Sequence, residues 1–242
     1  MSSYPRGLGA TKLRRAAVLT AGAFLLSGTT TGCSSDAVTD GGSAPCETAS
    51  MDPALPIDTA RDRVTYADHL AIVHWLSEKE FRRIPDDGDP QQGEITRSVT
   101  VRVDDVLWSR KRAPELPDEF SYFAWGWTYD GDHRTEASPW GFPRVEEGHT
   151  YVMPIARFSD PHGRHPRWSP FADSGVLPYD DGVLGEGETT ACAHPAWAPV
   201  AQRAVGKGVH ALADMLDHTK PDPKALPYMK LDPQTRFQHA SR

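Results

Sequence analysis

The chain of 242 residues contains no asparagine, only seven lysines against nineteen arginines, and three cysteines. Without asparagine no N-glycosylation sequon can form. The arginine bias is that of a high-GC genome. No C-x-x-C pair occurs, which argues against a thioredoxin-type redox centre and a zinc ribbon alike. From residue 33 onward G-x-S-x-G, the P-loop, G-x-G-x-x-G and H-E-x-x-H are also missing, so no motif assigns a reaction class. No cofactor is implied.

Long apolar runs are equally scarce. The longest, Ala16 to Leu26, has 11 residues, where a membrane-spanning helix needs about 20. It follows Arg6, Lys12, Arg14 and Arg15 in a stretch without an acid, which is the layout of a secretory signal peptide over residues 1–32. Setting those four basic residues aside leaves 22 basic and 33 acidic residues, a net charge of −11. Nucleic acid and anionic lipid headgroups are therefore poor partners for the folded part.

Small residues after the apolar run lead to Gly32-Cys33, and this resembles a bacterial lipobox, with Thr30 where that motif usually has leucine. The resemblance implies that Cys33 is acylated and becomes the first residue of an exported protein held on the outer face of the cell membrane. Two or more acyl chains suffice for stable anchoring. Cys46 and Cys192 then remain as a pair in an oxidising compartment, flanking the candidate domain. They are expected to form a disulfide, worth about 4 to 5 kcal/mol by the loop-entropy model; two separate thiols are the alternative.

Residues 33–56 are rich in Ser, Gly, Asp, Ala and Pro and read as a flexible tether. A β-domain is expected over 57–192. Its clearest strand is Ile95 to Trp108, where Val99, Val101 and Val103 alternate with Ser98, Thr100 and Arg102. The parity slips at Asp104-Asp105, which predicts a bulge. Other strands are expected at His69–Phe81, Phe120–Tyr129 and His149–Phe158, with turn-rich loops over 85–93 and 132–148 and a short hairpin around Asp181-Gly182. Pro154 argues for an edge strand or a bulge. In 193–218, Ala201, Val205, Val209, Leu212 and Leu216 repeat at helical spacing, predicting one amphipathic helix that Gly206 and Gly208 weaken. The tail, 219–242, reads as extended or disordered. The fold class is mainly β, a small antiparallel OB-like barrel of about five to six strands with a C-terminal helix.

The strand order and the segment Glu146 to Pro154 (E-E-G-H-T-Y-V-M-P) resemble a group of uncharacterised actinobacterial lipoproteins. More loosely they are similar to the OB-like barrels of netrin-type modules and tissue inhibitors of metalloproteinases. The inhibitors' mechanism, a free N-terminal cysteine amine on a protease's zinc, is not implied here, because Cys33 would be acylated and tethered.

Site candidates are few. Trp125, Trp127 and Tyr129, with Trp140 and Trp168, either build a stacking platform for a sugar or an extended partner, or fill the barrel. The second is favoured, because a small barrel needs bulky residues and Phe123, Trp125 and Trp127 would pack on Trp75 and Trp108. His162 and His165 have H-x-x-H spacing in a loop and are candidate metal ligands, although a zinc site needs three or four ordered ligands. Acids at 86–89 and 180–188 lack EF-hand spacing. The sequence thus points to a non-catalytic, lipid-anchored envelope protein that binds a protein, peptide or glycan, with a secreted hydrolase or metal-dependent enzyme using the His162/His165 loop as the alternative.

Overall fold

A computed structural model describes residues 48–49, 55–139, 144–159, 166–188 and 197–242, all within the compact unit Gly42–Arg242. Cys33, Cys46, Cys192, Trp140, His162 and His165 lie outside the described residues.

Strands β2 (His69–Asp86), β3 (Asp89–Ser109), β4 (Glu119–Asp130), β5 (His133–Glu136), β7 (Thr150–Phe158) and β8 (Arg167–Pro170) form an antiparallel sheet in the order β5-β4-β3-β2-β7-β8. This sheet curls into a half-barrel, so the chain is mainly β as expected. β9 (Leu177–Pro178) pairs with β7, while β1 (Thr48–Ala49) and β6 (Ser138–Pro139) make a separate parallel pair.

Period-two alternation gives β2 two different apolar faces. Ala71, Val73 and Trp75 enter the hollow of the curl with Val99, Val101, Phe120, Tyr122, Tyr151, Met153 and Ile155. Leu70 and Ile72 point the other way, onto Leu177, Leu184, Val200, Ala201, Leu212 and Leu216. The bulge falls where the parity slips: Val103 pairs with Val73 and Asp105 with Ile72, leaving Asp104 as the extra residue.

The loop expected over 85–93 is almost all strand, because β2 runs to Asp86 and β3 returns at Asp89. Cross-strand pairs hold this arm: Phe81 stacks on Phe123 at 4.0 Å and Arg83 lies 4.7 Å over Tyr129. The loop expected over 132–148 likewise contains β5. Pro154 sits in neither an edge strand nor a bulge. β7 has neighbours on both sides, and the proline falls between its β9 pairing, which ends at Val152, and its β8 pairing, which starts at Ile155. No ladder donor is needed there.

The predicted single C-terminal helix is two short ones, α2 (Pro199–Gln202) and α3 (His210–Asp217). Gly206 breaks it at φ +77°, and the freed backbone is used: Gly206 N–H donates to the Leu184 carbonyl and Leu184 N–H to that of Lys207. The apolar stripe survives the break, since Ala201, Val209, Leu212 and Leu216 all enter one core.

The tail is neither extended nor disordered. Asp232 caps α4 (Pro233–Ala240) by accepting from Thr235 N–H at 3.2 Å. Phe237 packs edge-on to Tyr66 of α1 (Ala60–Tyr66) at 5.8 Å. Fully buried Arg236 donates to the Thr65 carbonyl and, at 2.9 Å, to that of Leu231. Helix α1 starts with a capping box, Thr59 Oγ1 accepting from Asp62 N–H and Asp62 from Thr59 N–H.

Candidate functional site

β4 does not present its aromatics as one stripe. Thr96 pairs with Trp125 and Ile95 with Trp127, so Gly126 is a bulged residue and the two tryptophans fall on opposite faces. Only glycine fits, because a Cβ there would lie 2.7 Å from the Ile95 carbonyl oxygen. Phe123 is left on the outer face, 42% exposed. Trp127 is held between Arg134, 4.5 Å away, and Arg144, 5.1 Å away. Tyr129 is buried. The residues that fill the curl with Trp75 are Phe120 and Tyr122 rather than Phe123, Trp125 and Trp127, and Trp108 belongs to the helix-covered face. Four of the five platform candidates are described, and they do not meet: Trp168 lines a groove that Trp125, Trp127 and Tyr129 do not.

That groove is the seam of the half-barrel. β4 and β8 face each other there without pairing. Its volume is about 550 Å³, and Ser121, Tyr122 and Phe123 line one side, Arg167, Trp168 and Ser169 the other. The Arg167 guanidinium reaches to 5.0 Å over the Phe123 ring.

Backbone polarity follows from register. Asp118 C=O accepts from Val103 N–H at 2.7 Å, so alternation turns Phe120 and Tyr122 toward β3 and leaves the N–H and C=O of Ser121 and Phe123 on the seam. Phe171 N–H donates to Pro154 C=O at 2.7 Å, which by the same alternation sets the Trp168 amide on the seam from the other side. Among the described residues, neither of these edges of β4 and β8 has a backbone partner across the groove.

A second hollow, lined by Arg97, Tyr122, Trp125, Arg144 and Asp173, has only about 20 Å³, roughly room for one water. Asp180 serves the backbone: it accepts from Thr150 N–H at 2.7 Å and Glu188 N–H at 3.2 Å and pairs with His149. Among the described residues no group of three or more His, Cys, Asp or Glu side chains is placed to hold a metal, and no helix is long and apolar enough to cross a membrane.

Below the groove, His69 lies 5.5 Å from the Trp168 ring. Its Nε2 bonds the Pro114 carbonyl at 2.8 Å, so that nitrogen carries the proton, and Nδ1 accepts from Ser109 Oγ at 2.9 Å. Burial lowers its pKa from the ordinary 6.5. Below 6.5 the unfolded chain takes up a proton that the folded chain refuses, so stability is full above that pH and declines beneath it. Melting between about pH 7.5 and about pH 5.5 should thus fall more steeply for the native protein than for His69→Gln; identical slopes would rule His69 out as the cause.

Comparison of the chain with protein-family models, with curated proteins and with solved structures returns no match.

Proposed function

We propose that this protein is an exported, lipid-anchored binding module of the cell envelope that receives an extended polypeptide segment in the groove along the seam of β4 and β8. The observation that carries this reading is the groove itself, lined by Tyr122, Phe123, Phe158 and Trp168, where the facing edges of β4 and β8 do not pair with each other. An extended segment lying in the groove can use both features, main-chain hydrogen bonds for affinity and side-chain contacts for selection. Export and anchoring rest on the signal segment and Gly32-Cys33.

Random decapeptides displayed on phage and selected against the full chain should enrich a binder that protects the amides of Ser121, Phe123 and Trp168 from exchange. Methylating alternate nitrogens of that binder should weaken it by about tenfold or more, since each net hydrogen bond is worth about 1 kcal/mol. No enrichment, or protection elsewhere, would sink the idea. Intact mass of protein from membranes should equal the chain from Cys33 plus acyl groups; an unmodified mass would remove the anchor from the proposal.

A further inference from the structure

We infer that the groove captures the carboxyl end of a polypeptide, taking the terminal carboxylate on Arg167 and the last, apolar side chain against Phe123 and Phe158. This rests on the groove reading above and concerns which part of a chain is taken.

Among the residues that line the groove, Arg167 is the only charged one. Its guanidinium lies over the Phe123 ring and has no carboxylate partner among the described residues, whereas Arg97, Arg102, Arg110 and Arg134 each have one. Stacking on a ring holds a guanidinium while its in-plane N–H donors stay available, and that fork of donors matches a carboxylate. Register supplies hydroxyls around it. Ser98 is the partner of Phe123, while Ser121 and Ser169 stand two residues from Phe123 and Arg167 and so share their faces of β4 and β8. The chain beyond residue 32 is acidic overall, so an unpaired arginine in a groove is a local exception that selects an anion.

Cation and apolar surface coincide here. Phe158 is the ladder partner of Arg167, so both project from one face, and Arg167 reaches Phe123 across the seam. A ligand that satisfies the site carries a single negative charge and an apolar group side by side. In a polypeptide the carboxyl-terminal residue alone bears both on one Cα, because an internal Asp or Glu puts its charge where the apolar group would stand. The volume of about 550 Å³ lies in the range of small-ligand sites, which is room for the last residues of a chain.

The test uses the full chain and three fluorescent decapeptides built on Gly and Ser, titrated by anisotropy. One ends in Val-Leu with a free carboxylate, the second is the same sequence amidated, and the third is amidated with a Glu at its centre. The free acid should bind about tenfold more tightly than either of the others at low salt, with the difference shrinking as salt rises. Arg167→Gln should bring acid and amide to within about twofold of each other, whereas Lys79→Gln, at a cation outside the groove lining, should leave their ratio unchanged; both positions are exposed. A ratio that falls alike in both variants marks general charge attraction and overturns the capture. Equal binding of acid and amide, or of the acid and the Glu peptide, also overturns it and leaves the groove reading standing. Binding by none of the three, together with no enrichment from random peptides displayed with free carboxyl ends, overturns both.

Discussion

Asp68→Ala is expected to destabilise the fold by about 3 to 5 kcal/mol. Asp68 joins α1 to β2 and is 2% exposed. Its Oδ1 accepts from Arg110 Nε at 3.0 Å and Nη2 at 2.5 Å, its Oδ2 accepts from Arg157 N–H at 2.9 Å, and Arg236 Nη2 lies 3.9 Å from Oδ1. Alanine would leave Arg110 and Arg236 buried without their countercharge. Arg236 already feels this environment, since burial lowers its pKa to about 10. A domain typically has about 5 to 15 kcal/mol in all, so the urea midpoint should fall sharply at unchanged slope. A loss under about 1 kcal/mol would mean that water reaches these arginines.

Arg97→Met should cost about 2 to 5 kcal/mol by a different route. Arg97 is 1% exposed and joins three strands and a loop. Nε donates to the Trp125 carbonyl at 2.7 Å, Nη2 to that of Val145 at 2.9 Å and Nη1 to Glu78, while the guanidinium lies 4.9 Å from the Trp75 ring. Methionine restores the volume but leaves two carbonyls without donors. Glu78 keeps Arg144 at 3.2 Å, so the orphaned groups are neutral and the loss should stay below that of an unpaired charge. In a double-mutant cycle with Glu78→Gln, the second change should cost much less in the Arg97→Met background than alone. Strict additivity would show that the pair is not coupled.

The parts of this fold legible in the sequence are those set by local periodicity. Val99, Val101 and Val103 alternate strictly, and the break at Asp104 marks a bulge because one extra residue reverses the side chains that follow it; a second slip, which leaves Leu107 extra and sets Val106 and Trp108 on opposite faces, carries no such mark. The bulge at Gly126 carries no such mark, since tryptophans stand on both sides of it, and parity there misassigns Trp125, Trp127 and Tyr129 as one face. The strand arm to Asp86 reads as loop because its turn residues are real but its order comes from partners distant in sequence, Phe123 and Tyr129. Arg236 makes the tail look soluble until Asp68 and the Thr65 carbonyl are in place. Thr59-x-x-Asp62 is a local helix signal that reading for strands alone passes over. The groove could not be read at all, because its walls, Ser121–Phe123 and Arg167–Ser169, meet only through the curl of the sheet.

Docking of α4 also orders events in time. The bond from Arg236 to the Thr65 carbonyl spans 171 positions of the chain, whereas β2 and β3 meet around a turn at Asp87-Gly88. Loop closure makes near pairings fast and distant ones slow. Early contact of the β2–β3 arm and late completion of the Asp68–Arg110–Arg236 cluster is therefore the expected order, and Arg236→Lys should speed unfolding with little effect on the folding rate.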